Sequence, residues 1–151
     1  PRLGDALVLG IMYAVSSGTS HSAQYALAAM FKAAADGTLD FVADTSEYAR
    51  RAALTKKIFL DNGFHIVYAL DGEEPVSDGF FYTVGYRLPD GTEMTGAELM
   101  RDLMLCGICS ISLSLTGSAQ NGVRICVSQL NRPEQFDLLE ERLRLFAVSH
   151  P

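Results

Sequence analysis

The stretch S-I-S-L-S-L-T-G-S-A-Q-N-G-V-R-I-C-V-S-Q, residues 110–129, decides the fold, because it has the pattern of two strands joined by a polar loop. The second strand carries three aliphatic residues at alternate positions, Val123, Ile125 and Val127. Successive side chains of a strand point to opposite faces, so burial of this aliphatic row directs Arg124 the other way. We therefore expect Arg124 on an open face of the sheet.

The first strand alternates in the same way, with serine at positions 110, 112 and 114 and aliphatic residues between them. We expect this serine row to share a face with Arg124. Such a face is too polar for a core and too weakly charged for an ordinary solvated surface. The pattern predicts a binding site for an anion at Arg124.

Length and composition indicate one globular domain with a core of its own. The 151 residues are 48% hydrophobic and 20% charged, which excludes a disordered chain. A formal net charge of −6 without runs of Lys or Arg argues against a nucleic-acid partner. The apolar run at residues 6–15 is too short for a membrane span and has no basic start, so we expect no membrane association and a cytoplasmic protein.

The cysteines indicate reduced thiols, because their number is odd: Cys106, Cys109 and Cys126. Cys106 and Cys109 form a C-x-x-C motif, but it straddles Gly107, where a helix is expected to end. No second pair or nearby histidine completes a ligand set, so we expect no metal site. A cysteine enzyme ranks last among the possible functions, since no base accompanies any of the three thiols.

The remaining signals predict an α+β fold. Capping-box spacing marks three helix starts, at Asp44/Glu47, Thr95/Glu98 and Asn131/Glu134. Two of these helices should end at Gly63 and Gly107, and an Ala-rich helix at residues 24–35 precedes them. Strand patterns cover residues 64–69, 79–86, 108–115 and 123–129. The order favours a two-layer sandwich, with a mostly antiparallel sheet of three to four strands and helices on one face.

Six segments follow one another along the chain: G-T-S-H-S-A-Q-Y-A-L (18–27), Y-A-R-R-A-A-L-T-K-K-I-F-L-D-N-G (48–63), D-G-F-F-Y-T-V-G (78–85), a helix rich in Leu and Met, G-V-R-I-C-V-S (122–128) and P-E-Q-F (133–136). Their order and character resemble the C-terminal part of class I/II pyridoxal-phosphate-dependent aminotransferases of fold type I, the group of aspartate and aromatic aminotransferases. The resemblance implies the small domain of such an enzyme at residues 41–151 and a remnant of the large cofactor-binding domain at residues 1–40. Because the chain begins with Pro1 and not with methionine, we expect that it was processed, tagged and cut, or excised from a longer protein.

The resemblance also implies a function and a site. The parent would move an amino group between an amino acid and a 2-oxo acid with pyridoxal 5′-phosphate. Arg124 matches the arginine that binds the substrate α-carboxylate, for which a planar guanidinium is suited. Phe80 and Phe81 match an aromatic residue that closes over the substrate, and which of them does so stays open. Ser17 and Thr19 match a loop that approaches the cofactor phosphate across a subunit interface, which implies a homodimer.

The chain lacks the residue that would carry the cofactor. Its lysines, Lys32, Lys56 and Lys57, lie in helical stretches, and none has the S-x-x-K setting of the family's Schiff-base lysine. We therefore expect this chain alone to bind no cofactor, to contain no catalytic residue and to have no transaminase activity.

Simpler interpretations of the same residues stay open. Arg124 would pair with Glu98 or Asp102 if it served only structure, one of the two phenylalanines is expected in the core, and His65 is expected to be a hydrogen-bonded structural histidine. A different function class is a stand-alone module in which Arg124 binds an amino acid or another small carboxylate as a regulatory ligand. Residues 1–40 expose the apolar side of a helix, so self-association is expected.

Overall fold

The computed structural model describes residues 2–16, 18, 20–40, 44–76 and 79–150, and the chain divides into two units, Pro1–Asp44 and Thr45–Pro151. The first unit is helical. Its elements are α1 (Leu3–Asp5), a π-helical segment (Ala6–Met12), α2 (Tyr13–Ser16) and α3 (His21–Ala35). None of the residues in these elements is buried. The predicted Ala-rich helix is therefore present and begins three residues earlier than expected.

The described residues of the second unit form three longer helices, six strands and one 3₁₀ turn. In chain order these are α4 (Ser46–Asp61), β1 (Phe64–Ile66), β2 (Leu70–Asp71), β3 (Glu74–Pro75), β4 (Phe81–Tyr86), α5 (Gly96–Leu105), β5 (Ile111–Ser112), the 3₁₀ turn (Leu113–Thr116), β6 (Val123–Cys126) and α6 (Pro133–Ser149). Strands β1, β4, β6 and β5 form one four-stranded sheet in that order, with every pairing antiparallel. The predicted α+β fold is confirmed. The separate β2–β3 hairpin was not predicted.

One face of the sheet is buried under the helices. Tyr82 lies opposite Ile125 and Val84 opposite Val123 in the β4–β6 register, and these four side chains point into the core. The helices contribute Phe59, Leu99, Leu103, Leu143 and Phe146 to the same hydrophobic cluster. Because all three helices bury residues against one side of the sheet, the other side is left open.

Aromatic rings make up the centre of this core. The ring centroid of Phe59 lies 5.0 Å from that of Phe64 and 6.2 Å from that of Tyr82, both in edge-to-face geometry. Such pairs contribute about 0.5–1.5 kcal/mol each beyond the burial of their area. The packing of α4 on β1 and β4 thus depends on a ring that is completely buried.

The predicted capping box at α5 is confirmed. The amide of Glu98 donates to the hydroxyl of Thr95 at 3.3 Å, and the amide of Thr95 donates to the Glu98 carboxylate at 3.1 Å. These reciprocal bonds satisfy amide groups that have no partner inside the helix. They also hold the pKa of Glu98 below its ordinary value, chiefly through the Thr95 hydroxyl and then the Thr95 amide.

The predicted capping boxes at α4 and α6 are wrong. Helix α4 begins after Thr45, which makes no side-chain cap, and Glu47 instead accepts hydrogen bonds from Arg50 and Arg51 at 2.8 and 2.9 Å. In α6 the capping carboxamide is that of Gln135, one residue after the predicted Glu134, and it accepts from the amides of residues 131 and 132 at 3.0 Å each. Nearby side chains that compete for the same hydrogen bonds decide how the N-termini of α4 and α6 are capped.

The predicted glycine ends of α4 and α5 are confirmed. Gly63 and Gly107 have φ values of 85° and 77°, in the left-handed region that other residues adopt only with strain. The last helix ends in contact with α5 through its C-cap residue. His150 ends α6 with Nε2 3.0 Å from Asp102 Oδ2 and Nδ1 2.9 Å from the Phe146 carbonyl oxygen. Among the described residues, no helix is both long and apolar enough to cross a membrane.

Candidate functional site

The open face of the sheet is the side of the four-stranded sheet that the helices leave uncovered. It is formed by His65, Phe81, Thr83, Gly85, Ile111, Arg124 and Cys126. Arg124 is central, because it lies opposite Thr83 of β4 on one side and opposite Ile111 of β5 on the other. The alternation of β6 predicted this direction for Arg124.

Arg124 is supported by an aromatic ring. Its guanidinium carbon lies 4.3 Å from the centroid of the Phe81 ring, which is a close cation–π contact. Within the described residues no carboxylate forms an ion pair with Arg124. The ring fixes one face of the guanidinium and leaves its N–H donors available in the plane, which is the direction from which a carboxylate binds.

The acidic residues that would have explained Arg124 as a structural residue are occupied elsewhere. Glu98 belongs to the capping box of α5. Asp102 accepts from Arg101 Nε at 2.6 Å and pairs with His150, and these partners, Arg101 first, hold the pKa of the Asp102 carboxyl below its ordinary value. The structural alternative in which Arg124 pairs with Glu98 or Asp102 is therefore wrong.

The two phenylalanines are both exposed, so the expectation that one of them lies in the core is wrong. Phe81 begins β4 on the open face and is 43% exposed. Phe80 precedes the strand and is 45% exposed, with its ring centroid 4.7 Å from that of Tyr48 in edge-to-face geometry. Phe80 is not buried in the core because its ring packs on the first turn of α4, outside the sheet. Of the two, Phe81 is the one that contacts Arg124.

The serine row does not share the face of Arg124, which corrects the expected polar surface. Ile111 lies opposite Arg124, and Ser112 lies opposite the buried Val123. Ser110 and Ser112 are consequently buried, at 6% and 1% exposure. The strand then ends, because residues 113–116 turn into a 3₁₀ helix, and Gly117 follows with a φ of 86°. Arg124 thus lies between an aromatic ring and an aliphatic side chain.

A charged group continues the open face beyond Arg124. His65 lies opposite Gly85, and its Nε2 is 2.9 Å from Glu93 Oε1. Arg87 Nη2 lies 3.0 Å from the other oxygen of Glu93. His65 thus has a carboxylate neighbour, but Glu93 Oε1 accepts no hydrogen bond of good geometry, so this contact does not supply the hydrogen bond expected for His65. An isolated β-bridge between Arg87 and Glu93 brings these residues together. No sequence motif links them, so sequence reasoning missed this group.

The cofactor residues implied by the resemblance, Ser17 and Thr19, lie outside the described residues. Lys32 lies in α3, and Lys56 and Lys57 lie in α4, where Lys57 pairs with Asp61. Among the described residues, no three His, Cys, Asp or Glu side chains group together as metal ligands. Among the described residues, the open face carries the guanidinium of Arg124 and no lysine amine.

No protein-family model matches this chain, and no curated protein matches it. Among solved structures, the chain is similar to an aspartate aminotransferase from Rhizobium meliloti, with a TM-score of 0.47 and 15% sequence identity. The match covers 68% of this chain and 26% of that chain. The chain spans about a quarter of the length of the structure it matches.

Proposed function

We propose that this chain is the C-terminal part of a pyridoxal-phosphate-dependent aminotransferase, in which Arg124 binds the α-carboxylate of amino-acid and 2-oxo-acid substrates. The observation that carries the proposal is the setting of Arg124. Its guanidinium rests on Phe81 at 4.3 Å, on the open face, without a carboxylate partner in the described part of the chain. An arginine with several unengaged donors in a fixed plane is prepared for a planar anion.

The chemistry of the surroundings supports a carboxylate ligand. A cation–π contact at an exposed site contributes about 0.5–1 kcal/mol, which is less than a bidentate, charge-assisted pair supplies. A carboxylate that binds in the guanidinium plane therefore adds to the ring contact without displacing it. Ile111 and Phe81 on either side of Arg124 would shield the pair from water, and this strengthens the attraction between the charges.

This chain supplies the carboxylate anchor and not the cofactor site. Lys56 and Lys57 belong to the helix layer, on the other side of the sheet from Arg124, and Lys32 belongs to the other unit. We place pyridoxal 5′-phosphate, the Schiff-base lysine and a homodimeric, cytoplasmic assembly in a longer parent enzyme. The chain alone is expected to be inactive as a transaminase. Ser17 and Thr19 stay proposed contacts of the cofactor phosphate across the subunit interface.

The second candidate is a stand-alone module that binds a small carboxylate as a regulatory ligand. The observation in its favour is that Arg124 and the whole hydrophobic core lie in one unit, Thr45–Pro151. Such a unit needs no second domain to position the arginine. The two candidates share Arg124 and differ in whether this chain is sufficient for binding.

Calorimetric titration of the full chain with aspartate, glutamate, 2-oxoglutarate and acetate separates the two candidates. A dissociation constant below about 1 mM that rises at least tenfold in Arg124→Ala supports the stand-alone module. Binding weaker than that, together with a Ser-x-x-Lys motif upstream in the gene, supports the aminotransferase fragment. Arg124→Lys is the matched control, because lysine keeps the charge and loses the planar pair of donors.

In the parent enzyme, Arg124→Ala should raise KM for the amino acid and lower kcat/KM by about 10²–10⁴-fold, since one charged, bidentate contact is lost. Arg124→Lys should recover only part of that loss. An unchanged KM in Arg124→Ala would remove Arg124 from the substrate site.

A further inference from the structure

Two of the three cysteines come from neighbouring strands and lie on the same side of the sheet. Residues 108–112 alternate between buried and exposed positions, which places Cys109 on the exposed side with Ile111. Residues 123–127 alternate in the same way and place Cys126 beside Arg124. Both thiols are free and exposed, whereas Cys106 is partly buried. The open face therefore presents two thiols at one end.

The register of the sheet, if extended by two residues, would bring these thiols across from one another. Ile111 pairs with Arg124 and Ser112 with Val123, and the Leu113 amide donates to the Gly122 carbonyl at 2.9 Å. Strand β5 begins at Ile111, and Cys109 precedes it by two residues, so an extension of the same antiparallel register would set Cys109 opposite Cys126. Opposed residues in an antiparallel pair have Cα atoms about 4.5–5.5 Å apart, within the range of about 4.4–6.8 Å that a disulfide spans.

A cavity adds a second, independent observation. Cys109 and Cys126 both line a cavity of about 210 Å³, together with Ile108, Leu138 and Arg142. Its lining includes the buried Phe59 and Ile125, so the cavity lies between the sheet and the helices, and the two cysteine residues border it at the end of the sheet. Cys126 Sγ also lies 3.1 Å from the Ser128 hydroxyl, which orients the sulfur along the strand edge.

We propose that Cys109 and Cys126 form a dithiol modification site that closes to a cross-strand disulfide by exchange with a low-molecular-weight disulfide. One thiolate attacks a sulfur of the reagent, forms a mixed disulfide and releases one thiolate of the reagent. The second cysteine, deprotonated, attacks the protein sulfur of that mixed disulfide and releases the other. The two cysteines lose two electrons and two protons, and the reagent is reduced to two thiols. Closure fastens the edge strand β5 to β6 beside Arg124.

Cys106 is the competitor, since it is three residues from Cys109 in the C-x-x-C motif. Burial raises the pKa of the Cys106 thiol, so its reactive thiolate is the less available. Gly107, with its φ of 77°, turns the chain between the two and leaves Cys109 on the open face. The proposed site therefore joins cysteines from two neighbouring strands, Cys109 and Cys126, and not the two that are close in sequence.

The test uses the full chain equilibrated with mixtures of oxidised and reduced glutathione, then alkylated and weighed intact. We expect a species with one alkylatable thiol in place of three, lighter by about 2 Da before alkylation, and a digest in which Cys109 and Cys126 are linked. Cys106→Ser is the matched control and should keep the link. Cys109→Ser and Cys126→Ser should each lose it while retaining the far-UV circular dichroism of the wild type.

Two results would overturn the site. One is glutathione attached separately to Cys109 and Cys126 at every redox ratio, with no internal link. The other is a link between Cys106 and Cys109. Both are read in the wild-type chain, so a variant that fails to fold does not obscure them. The site does not rest on the proposed aminotransferase function, because the measurement counts thiols and not bound carboxylate.

Discussion

The guanidinium carbon of Arg124 lies 4.3 Å from the centroid of the Phe81 ring, and both side chains stand on the sheet face opposite the helices. This contact positions the guanidinium on the open face, where a bound anion could reach its N–H groups. Nothing in the core requires the contact, because the buried residues of β6 are Val123 and Ile125 on the other side.

The first prediction concerns the coupling between these two side chains. A double-mutant cycle of Arg124→Met and Phe81→Leu should give a coupling of about 0.5–1 kcal/mol in the free energy of unfolding, measured with urea at low salt. The control cycle pairs Arg124→Met with Phe80→Leu, because the Phe80 ring packs on Tyr48. Equal coupling in both cycles would contradict a specific contact with Phe81.

The second prediction concerns Gly85, which lies beneath the His65–Glu93 pair. A Cβ at this position would lie 2.6 Å from His65 Nε2 and 2.9 Å from Glu93 Oε1. Gly85→Ala should therefore lower the free energy of unfolding by about 1–3 kcal/mol. Elsewhere in a strand, replacement of glycine by alanine usually raises stability. In a His65→Ala background the loss should be at most half as large. A loss independent of residue 65 would show that His65 is not the side chain that excludes the methyl group.

The third prediction compares two threonines at helix N-caps. Thr95 caps α5 with its hydroxyl, whereas Thr45 precedes α4 without a side-chain cap. Thr95→Ala should lower the free energy of unfolding by about 0.5–2 kcal/mol, and Thr45→Ala should change it by less than about 0.5 kcal/mol. Urea unfolding of the two variants measures the difference. Similar losses in both would argue that the capping box contributes nothing specific.

The fourth prediction concerns pH. Hydrogen bonds from Arg50 and then Arg51 lower the pKa of Glu47 from 4.5 to about 2. Since the folded pKa lies below the unfolded one, the stabilisation is present above pH 4.5 and is lost as the pH falls towards 2. The urea midpoint of Glu47→Gln should thus lie below that of the wild type near neutral pH. The difference between the two midpoints should disappear as the pH falls from 4.5 towards 2. Glu73→Gln, in the β2–β3 turn, controls for the loss of one negative charge.

The fifth prediction concerns the two units. The residues of the hydrophobic core lie between Ala52 and Phe146, inside the unit Thr45–Pro151. A chain of residues 45–151 should keep one cooperative unfolding transition with an almost unchanged urea midpoint. Loss of cooperativity in this shortened chain would show that residues 1–44 contribute to the stability of the core, and would weaken the proposed domain boundary.

Much of the fold could be predicted because its signals are local. The turn at Gly63 or Gly107 requires a φ that glycine adopts easily, and the Thr95/Glu98 spacing satisfies amides within a single turn. These interactions act over a few residues, so the sequence contains all that determines them. The capping prediction failed at Glu47, where two arginines one turn later compete for the carboxylate.

The sequence by itself determined that β6 has one aliphatic face and that Arg124 points away from it, because alternation is a property of each strand alone. Only the tertiary structure decided what surrounds Arg124. Pairing of Ile111 with Arg124 sends Ser110 and Ser112 into the buried side, and a shift of one residue would have exchanged the two rows. The β4–β6 pairing puts Phe81 beneath the guanidinium. Register is settled by contacts between distant segments, which no single strand contains.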